Sequence, residues 1–179
     1  MPGLLGTARP RAVADGVTGS RLGCFAATTA ADRDRHFRIR HEVFVEEQGV
    51  FAGSDRDVYD EDQGTIHVLG TVDDEAAGAV RLFRLDAEGR WQGDRLCVVR
   101  RFRKVGIGAP LVRFAVASAG MAGGSVMVAH IQVPNIDFFT HLGWAKDGPV
   151  EDYVGLPHQP MCIELPDRAA AAEALARLT

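Results

Sequence analysis

Cysteine is scarce in this chain, and no run of residues is apolar for long enough to cross a membrane. The three cysteines, Cys24, Cys97 and Cys162, lie far apart and form no Cys-x-x-Cys pair, which argues against a disulfide framework and a structural zinc site. No apolar segment follows Arg9 and Arg11, as a secretory signal requires. We therefore predict a cytoplasmic protein without a membrane partner, in which Cys97 and Cys162 are buried as small apolar side chains.

An excess of basic residues is also absent, since 20 Lys and Arg residues stand against 24 Asp and Glu residues. This balance argues against a nucleic-acid partner, because such binding depends on a basic surface. The length of 179 residues, with 46% hydrophobic and 25% charged residues, suits one globular domain. We place residues 1–21 in a mobile arm, residues 22–166 in the single domain and residues 167–179 in a helical tail.

Strand and helix signals alternate through the domain. Strands are predicted at residues 24–28, 65–72, 78–85, 91–99, 125–132, 144–150 and 161–165, the last two as a closing hairpin pair around residues 154–160. Helices are predicted from residue 29 to about residue 48, at 109–119, at 135–142 and at 168–178. The pattern indicates an α/β fold with a mixed, mostly antiparallel sheet of about six or seven strands and helices on both faces.

A basic glycine loop separates the strand at residues 91–99 from the helix that follows it. Four basic residues lie between Arg100 and Lys104, and Gly106 and Gly108 come directly afterwards. Glycine allows the backbone to approach a ligand closely, and the free N–H groups at a helix start favour an anion there. The pattern therefore predicts a phosphate or pyrophosphate site.

Two well-known phosphate loops do not match. A Walker loop needs Lys-Ser/Thr after its last glycine, and the dinucleotide fingerprint needs a third glycine where this chain has Leu111. The pattern Arg-x-x-Gly-x-Gly at residues 103–108 resembles the acetyl-CoA loop of the GNAT (GCN5-related) N-acetyltransferase superfamily. The structural alternative is an ordinary strand–turn–helix with a basic surface turn.

Further stretches extend the resemblance over residues 24–165. Residues 40–49 are similar to the Arg-x-x-Val-Phe-Val-x-Glu-Gln signature of the ElaA-like branch. Also similar to that branch are the acidic loop with Asp57 and Asp60, His67, residues 130–132 and residues 157–161. Residues 51–57 and 91–93 resemble acetyltransferases found with bacterial nitrogen-starvation gene clusters.

The resemblance implies a binding site for acetyl-CoA, in a V where two central strands splay apart. It implies that the pantetheine arm pairs with the backbone of Cys97, Val98 and Val99. It places the pyrophosphate on the backbone amides of Arg103, Lys104, Val105, Gly106, Ile107, Gly108 and Ala109, with charge from Arg103 and Lys104. Asn135 and Phe138 are expected to complete the cofactor contacts.

The resemblance also implies a reaction, the transfer of an acetyl group from acetyl-CoA to a primary amine of a small molecule by direct attack. No metal is expected, and the protein is expected to be a monomer or a homodimer. The residue at position 139 is Phe, where many GNAT enzymes carry a tyrosine proposed to protonate the leaving thiolate. Phenylalanine has no proton to give, so the proton donor stays unassigned.

The attacking amine must lose a proton, because an alkyl amine with a pKa of about 10.4 is neutral in roughly one molecule per thousand at pH 7. Candidate bases are His130, Glu46 and Asp94, with Glu47 and His158 as further possibilities. His130 is the best single candidate because its ordinary pKa lies near neutral. Each also has a structural interpretation: a hydrogen-bonded core histidine, a solvated helix end or a strand-end carboxylate.

Two questions stay open at this level. The acidic residues between Asp55 and Asp62 could attract a cationic amine, although a solvated loop is the favoured interpretation. Two alternatives to the acetyltransferase are a non-catalytic acyl-CoA-binding regulatory module, motivated by Phe139, and an acyltransferase like the acyl-homoserine-lactone synthases. The second rests on a similar Arg-x-x-Val-Phe stretch and acidic loop.

Overall fold

The computed structural model describes residues 19–179, so the expected mobile arm at residues 1–21 lies almost entirely outside the described residues. The strands are β1 (Leu22–Ala26), β2 (Ile66–Val72), β3 (Glu75–Arg84), β4 (Arg90–Val98), β5 (Val126–Gln132), β6 (Ala145–Lys146), β7 (Glu151–Tyr153) and β8 (Leu156–Glu164). The helices are α1 (Ala30–Arg40), α2 (Gly108–Met121), α3 (Ile136–His141) and α4 (Arg168–Leu178). A π-helix, His41–Glu47, continues α1.

The strands form one mixed sheet in the order β1-β2-β3-β4-β5-β8-β6, with β7 paired to β8. Only the β4–β5 pair is parallel within this described part of the chain, so the predicted α/β class with a mostly antiparallel sheet is confirmed. The sheet has eight strands among residues 19–179 rather than six or seven. The difference comes from β6 and β7, which have two and three residues.

The predicted closing hairpin is wrong in its boundaries. Strand β8 begins at Leu156, inside the stretch predicted as a turn, and the turn itself is Val154–Gly155 with φ angles of 50° and 77°. The prediction failed because Pro157 and Pro160 argue against a strand interior. In the structure Pro160 lies opposite His130 of β5.

The central splay is confirmed by the pairing of β4 and β5. These strands pair only from Arg90 to Gln92 on β4, opposite Val126 to Val128 on β5. Beyond Gln92 the strands diverge, while β5 stays paired with β8 as far as Gln132. The result is a V-shaped gap in the middle of the sheet that opens toward the start of α2.

Helices cover both faces of the sheet, as predicted. Helix α1 packs on β2, β3 and β4, and α2 packs on the opposite face with α4 alongside it. The larger core lies under α2, where Leu111, Phe114 and Ala115 are buried on one side of that helix. A smaller core under α1 contains Ile39 and Val43.

Helix α1 begins at an N-cap, where Thr29 Oγ1 accepts a hydrogen bond from the Asp32 amide at 3.1 Å. The helix then widens into the π-helix, a rare form that often lies at functional sites. The π-helix ends at Glu47, close to the predicted helix end at about residue 48, and Gly49 follows with a φ of 62°.

Two of the cysteines are inert core residues. Cys24 and Cys97 are buried, and burial raises the pKa of each thiol to about 12. The burial of Cys97 confirms the prediction, whereas Cys162 is only partly buried.

Within residues 19–179 no helix has the length and apolarity to span a membrane, and no cluster of three or more His, Cys, Asp or Glu residues could hold a metal ion.

Candidate active site

A cleft of about 600 Å³ occupies the V between β4 and β5 and continues through the sheet. Its lining includes Val98 and Ala129, whose side chains pack toward α2, and also Gln48 and His130 from the α1 side. A volume of this size is typical of small-molecule sites. The cleft therefore connects the glycine loop on one face of the sheet with the end of the π-helix on the other.

A β-bulge shapes the β4 wall of this cleft. Ala79 lies opposite Cys97, but Arg81 lies opposite Asp94, so β4 holds one extra residue in this stretch. The backbone of Arg95 has a φ of 53°, which is uncommon for a residue with a side chain. The bulge turns Asp94 and Arg95 toward the same face, under α1.

A buried network of arginines and aspartates lies on that face. Arg40 contacts Asp55 at 2.7 Å and Asp60 at 2.6 Å, and Arg81 contacts Asp60 at 2.9 Å. The side chains of Arg40, Arg81 and Asp60 are 0% exposed. Burial by itself would raise the pKa of Asp60, but hydrogen bonds and charge from Arg40 hold it well below its usual range.

The interpretation of the acidic loop as solvated is therefore wrong for Asp55 and Asp60. Asp57 is also paired, with Arg81 at 2.5 Å and Arg95 at 3.1 Å. The acidic residues are drawn inward because the buried arginines need counter-charges. A loop whose carboxylates are paired in this way offers little free charge to attract a cationic acceptor.

Asp94, one of the candidate bases, belongs to the same network. Its carboxylate lines the cleft but accepts hydrogen bonds from Arg81 Nε at 2.8 Å and Arg81 Nη2 at 2.6 Å. Glu46, the second candidate, lies outside the cleft, 64% exposed and 3.5 Å from His41 Nε2. Of the three candidates, only His130 lies in the cleft without an ion pair to arginine.

The glycine loop opens directly onto the cleft. Gly106 has a φ of 94°, and a Cβ built there would meet no atom within 4 Å. Helix α2 starts two residues later at Gly108, where a Cβ would lie 3.5 Å from the Phe138 ring. Open space, a helix start and glycine conformation together fit a pyrophosphate group. The predicted residues that line the cleft here are Arg103, Gly106, Gly108, Ala109, Asn135 and Phe138.

Three other residues of the predicted loop are placed differently. Lys104 is exposed, Val105 is partly buried and Ile107 is 0% exposed within the large core. None of these three residues is part of the cleft lining.

Arg103 is tied to the opposite wall of the cleft. Its guanidinium donates to both carboxylate oxygens of Glu47, at 2.7 and 2.8 Å, and its Nε donates to the Val98 carbonyl at 3.1 Å. The hydrogen bond from Arg103 lowers the pKa of Glu47. The cation expected to hold a pyrophosphate is therefore already paired with a carboxylate.

Val98 presents its backbone to the cleft, unlike its two neighbours. The Val99 amide donates to the Ala77 carbonyl at 2.9 Å, so it points toward β3. Successive residues of a strand direct their backbone groups to opposite sides, so the Val98 amide points into the V. The bond from Arg103 to the Val98 carbonyl agrees with this direction. Cys97 lines the cleft, whereas Val99 is 2% exposed and does not.

His130 forms a carboxylate–imidazole pair on the β5 wall. Its Nε2 lies 2.8 Å from Glu151 Oε1, and its ring stacks on Tyr153 with centroids 4.4 Å apart and an interplanar angle of 6°. The second ring nitrogen, Nδ1, is buried without a hydrogen-bond partner among the described residues. Glu151 and Tyr153 were missed from the sequence, because they reach His130 only through the pairing of β7 with β8.

Residues at the end of the π-helix contact both sides of the V-shaped gap. Glu47 contacts Arg103 beyond β4, and the next residue, Gln48, accepts a hydrogen bond from Gln132 Nε2 at the end of β5, at 3.3 Å. His158, the remaining histidine candidate, is 4% exposed, lines the cleft and has its Nδ1 2.9 Å from the Leu156 carbonyl.

Comparison with known proteins identifies the family to which this chain belongs. The family model of the GNAT acetyltransferase domain matches residues 42–165. The chain belongs to the GNAT acetyltransferase family. A Bacillus subtilis (strain 168) protein named as an acetyltransferase is 28% identical over 132 residues, covering 73% of this chain and 88% of that protein.

Two solved structures support the assignment. A crystal structure from Lactobacillus plantarum, described as an N-acetyltransferase, has a TM-score of 0.73 and 25% identity, covering 81% of this chain and 99% of that one. Escherichia coli ElaA has a TM-score of 0.69 and 20% identity, covering 80% of this chain and 98% of that one. The resemblance to GNAT proteins, ElaA among them, is therefore confirmed. In this GNAT protein the cleft lies in the V-shaped gap between β4 and β5.

Proposed function

We propose that this GNAT protein transfers an acetyl group from acetyl-CoA to the primary amine of a small-molecule acceptor. The observation that supports this most is one cleft with the basic glycine loop at one end and the His130–Glu151 pair on its wall. The donor supplies an activated acyl group as a thioester. The chain's own residues bind it, orient it and accept the proton of the amine.

In this proposal the backbone amides from Arg103 to Ala109 hold the pyrophosphate at the start of α2, and Arg103 adds charge. The residues from Cys97 to Val99 form the edge along which the pantetheine arm lies, with Val98 supplying its backbone groups. The Val98 amide is also the proposed donor to the oxyanion that develops on the acyl carbon. Asn135 and Phe138 contact the cofactor arm from the side of α3.

His130 is the proposed general base. The Nε2–H group donates a hydrogen bond to Glu151, and the lone pair on Nδ1 is the proposed acceptor of the amine proton. Because Nδ1 is buried, this role requires the wall around His130 to open when the acceptor binds. The Glu151 carboxylate then stabilises the imidazolium, and Tyr153 holds the ring plane by stacking. Asp94 serves in this proposal as a structural partner of Arg81 rather than as the base.

The thiolate leaves without a proton from position 139. Phe139 is 5% exposed and packs edge to face with Trp144, with ring centroids 5.4 Å apart. An apolar ring at this position cannot act as an acid. Proton uptake by the thiolate therefore falls to solvent in this mechanism.

The proposal is tested by measuring free thiol release from acetyl-CoA across a panel of primary amines. We expect release that depends on the acceptor, and a drop in kcat of about 10²–10³-fold in His130→Gln, with CoA affinity retained. Glu151→Gln is expected to shift the pH profile of kcat and to lower it less. His141→Gln is the matched control, because His141 is exposed, lies outside the cleft and contacts Asp137 of its own helix.

Two outcomes would redirect the assignment. CoA binding without thiol release for any amine would favour a regulatory acyl-CoA-binding module. Release of thiol only when S-adenosylmethionine is the acceptor would favour an acyltransferase of the acyl-homoserine-lactone type.

A further inference from the structure

The tip of the β7–β8 hairpin carries a residue in a strained conformation. The hairpin turns through two residues, Val154 and Gly155, whose φ angles are 50° and 77°. Positive φ angles at both positions are typical of a type I′ turn, in which asparagine, aspartate or glycine is the usual first residue. A β-branched residue with a positive φ is an outlier, because its Cβ crowds the backbone. Val154 is therefore an unfavourable residue for the turn that it forms.

The β2–β3 hairpin makes the same kind of turn with residues that suit it. Its two turn residues, Asp73 and Asp74, have φ angles of 51° and 69°. Aspartate tolerates this conformation better than a β-branched residue does. The two hairpins also differ in position, since Val154 lines the cleft and the two aspartates do not. Backbone strain of this kind is often found where a side chain has a role in binding, which directs attention to the side chain of Val154.

The side chain of Val154 lies at an open part of the cleft. It lines the cleft and the residue is 41% exposed, so solvent reaches it there. The preceding residue, Tyr153, stacks on His130, which places the hairpin tip beside the proposed base. Val50 and Phe51, which follow the π-helix, also line the cleft and are partly exposed. An acceptor whose amine reaches His130 therefore has accessible apolar side chains available for the rest of the molecule.

The ring of Phe51 is held in place by two neighbours. It packs edge to face on Phe44, with centroids 6.3 Å apart, and the Arg95 guanidinium lies 4.6 Å from its centroid. A ring that is already ordered loses little conformational freedom when a ligand binds to it. Phe51 therefore offers a fixed aromatic surface, and Val154 offers an aliphatic one.

The charged side chains of the cleft lining are already paired. Among the described residues, the cleft is lined by one acidic residue, Asp94, and by two basic residues, Arg95 and Arg103. Asp94 and Arg95 belong to the buried ion network, and Arg103 is bound by Glu47. A carboxylate or a second ammonium group on the acceptor would find no free counter-charge in this lining, and burial of an unpaired charge is costly.

We propose that the acceptor is a primary amine whose remaining body is apolar and uncharged, and that Val154 and Phe51 contact this body. The inference rests on the proposed transfer function and specifies its acceptor class. Arylalkyl and alkyl monoamines have this chemistry, whereas amino acids and diamines do not. The bonds that change are those of the proposed reaction: the thioester C–S bond breaks and the amide C–N bond forms. The amine proton goes to His130, and the thiolate takes a proton from solvent.

The test measures thiol release from acetyl-CoA with pairs of amines that differ in one charged group. Phenethylamine is compared with phenylalanine, which adds a carboxylate, and pentylamine is compared with cadaverine, which adds a second ammonium. We expect kcat/KM to be at least about tenfold higher for the amine with the uncharged body in each pair. Equal or lower values for phenethylamine and pentylamine would overturn the proposal. Absence of thiol release with every amine would instead refute the proposed function, so the two failures are distinguishable.

Val154→Asn separates a contact with the acceptor from a structural role. Asparagine tolerates a positive φ, so we expect this variant to raise Tm by about 2–4 °C. Loss of the apolar contact is expected to raise the KM for phenethylamine by about fivefold to tenfold, with kcat retained. Val150→Asn is the matched control, because Val150 is 51% exposed and lies outside the cleft lining, and it should keep the wild-type KM. An unchanged KM in Val154→Asn would contradict the proposal.

Phe51→Leu provides a second test at the other apolar surface. Leucine keeps an apolar side chain but removes the ring, so kcat/KM should fall by about threefold to tenfold more for phenethylamine than for pentylamine. Equal losses for the two amines would show that Phe51 does not contact the body of the acceptor.

Discussion

Arg103 and Glu47 form a two-point ion pair, with guanidinium–carboxylate distances of 2.7 and 2.8 Å. The pair joins the end of the π-helix to the loop before α2, across the mouth of the cleft. The two side chains are 40% and 31% exposed, so the pair is accessible to solvent and adds little to stability. A polyanion bound at the glycine loop must compete with Glu47 for Arg103.

Glu47→Gln is therefore expected to strengthen CoA binding. The substitution removes a carboxylate beside the proposed pyrophosphate site and frees Arg103 to bind it, so we expect a gain of about threefold to tenfold in affinity. Calorimetric titration with CoA measures the change. Glu46→Gln removes the same charge one residue away and is the control, because Glu46 lies beside His41 and not beside Arg103; it is expected to leave the affinity as in the wild type. Weaker CoA binding in Glu47→Gln would show that Arg103 does not serve the cofactor.

Gly106→Ala is expected to weaken CoA binding and stability together. A residue with a side chain at a φ of 94° costs about 1–2 kcal/mol, and the added methyl projects into the open space of the cleft. We expect at least a tenfold loss of CoA affinity. Gly53→Ala is the matched control, because Gly53 has a φ of 76°, has no atom within 4 Å of a Cβ and lies outside the cleft lining. Gly53→Ala should lose stability but keep the wild-type CoA affinity. An equal loss of affinity in both variants would show that Gly106 is not part of the binding site.

Elements with a clear local sequence pattern were predicted well, whereas short strands that depend on pairing with distant strands were not. Helix α2 and strand β5 came within two residues of their observed bounds because their apolar patterns are local. Strands β6 and β7 were not predicted as separate strands because they have only two and three residues. The first half of β8 was predicted as a turn because it contains two prolines. Short strands are defined by their partners across the sheet, and that information is absent from any local window.

The same distinction holds at the candidate site. The loop from Arg103 to Gly108 was recognisable because its residues are adjacent in the chain. The pairing of Glu151 with His130 was not, since 21 positions separate them and two strand pairings bring them together. The burial of Asp55 was unpredictable for the same reason, because its counter-charge comes from Arg40 and Arg95 in other elements.

The buried ion network should make Asp60 one of the residues most sensitive to substitution. Asp60→Asn removes the charge that Arg40 and Arg81 share at 2.6 and 2.9 Å and leaves excess buried positive charge. Breaking a buried pair of this kind costs about 3–5 kcal/mol of the free energy of unfolding. Asp62→Asn is the control, because its exposed side chain can still accept from the Gly64 amide, and it should stay within about 0.5 kcal/mol. Urea denaturation measures both, and similar losses would contradict a structural role for the network.

Two buried histidines predict how stability depends on pH. Burial lowers the pKa of His36 to about 3 and that of His67 to about 4, with nearby Arg40 acting in the same direction and Asp60 opposing it. Between these values and the unfolded pKa of about 6.5 the unfolded chain binds more protons than the folded one. Stability contributed by the neutral rings is therefore complete above about pH 6.5 and declines as the pH falls toward 4.

Each histidine should account for about 1–2 kcal/mol of lost unfolding free energy between pH 7 and pH 5. The depressed pKa of Asp60 affects stability only at lower pH, so this window isolates the histidines. His36→Gln keeps a donor for the Val80 carbonyl, which lies 3.2 Å from His36 Nε2, and should remove about half of the pH-dependent loss. Urea denaturation at the two pH values measures it, with the exposed His141→Gln behaving as the wild type. If His36→Gln loses as much stability as the wild type on acidification, His36 is not a source of the pH dependence.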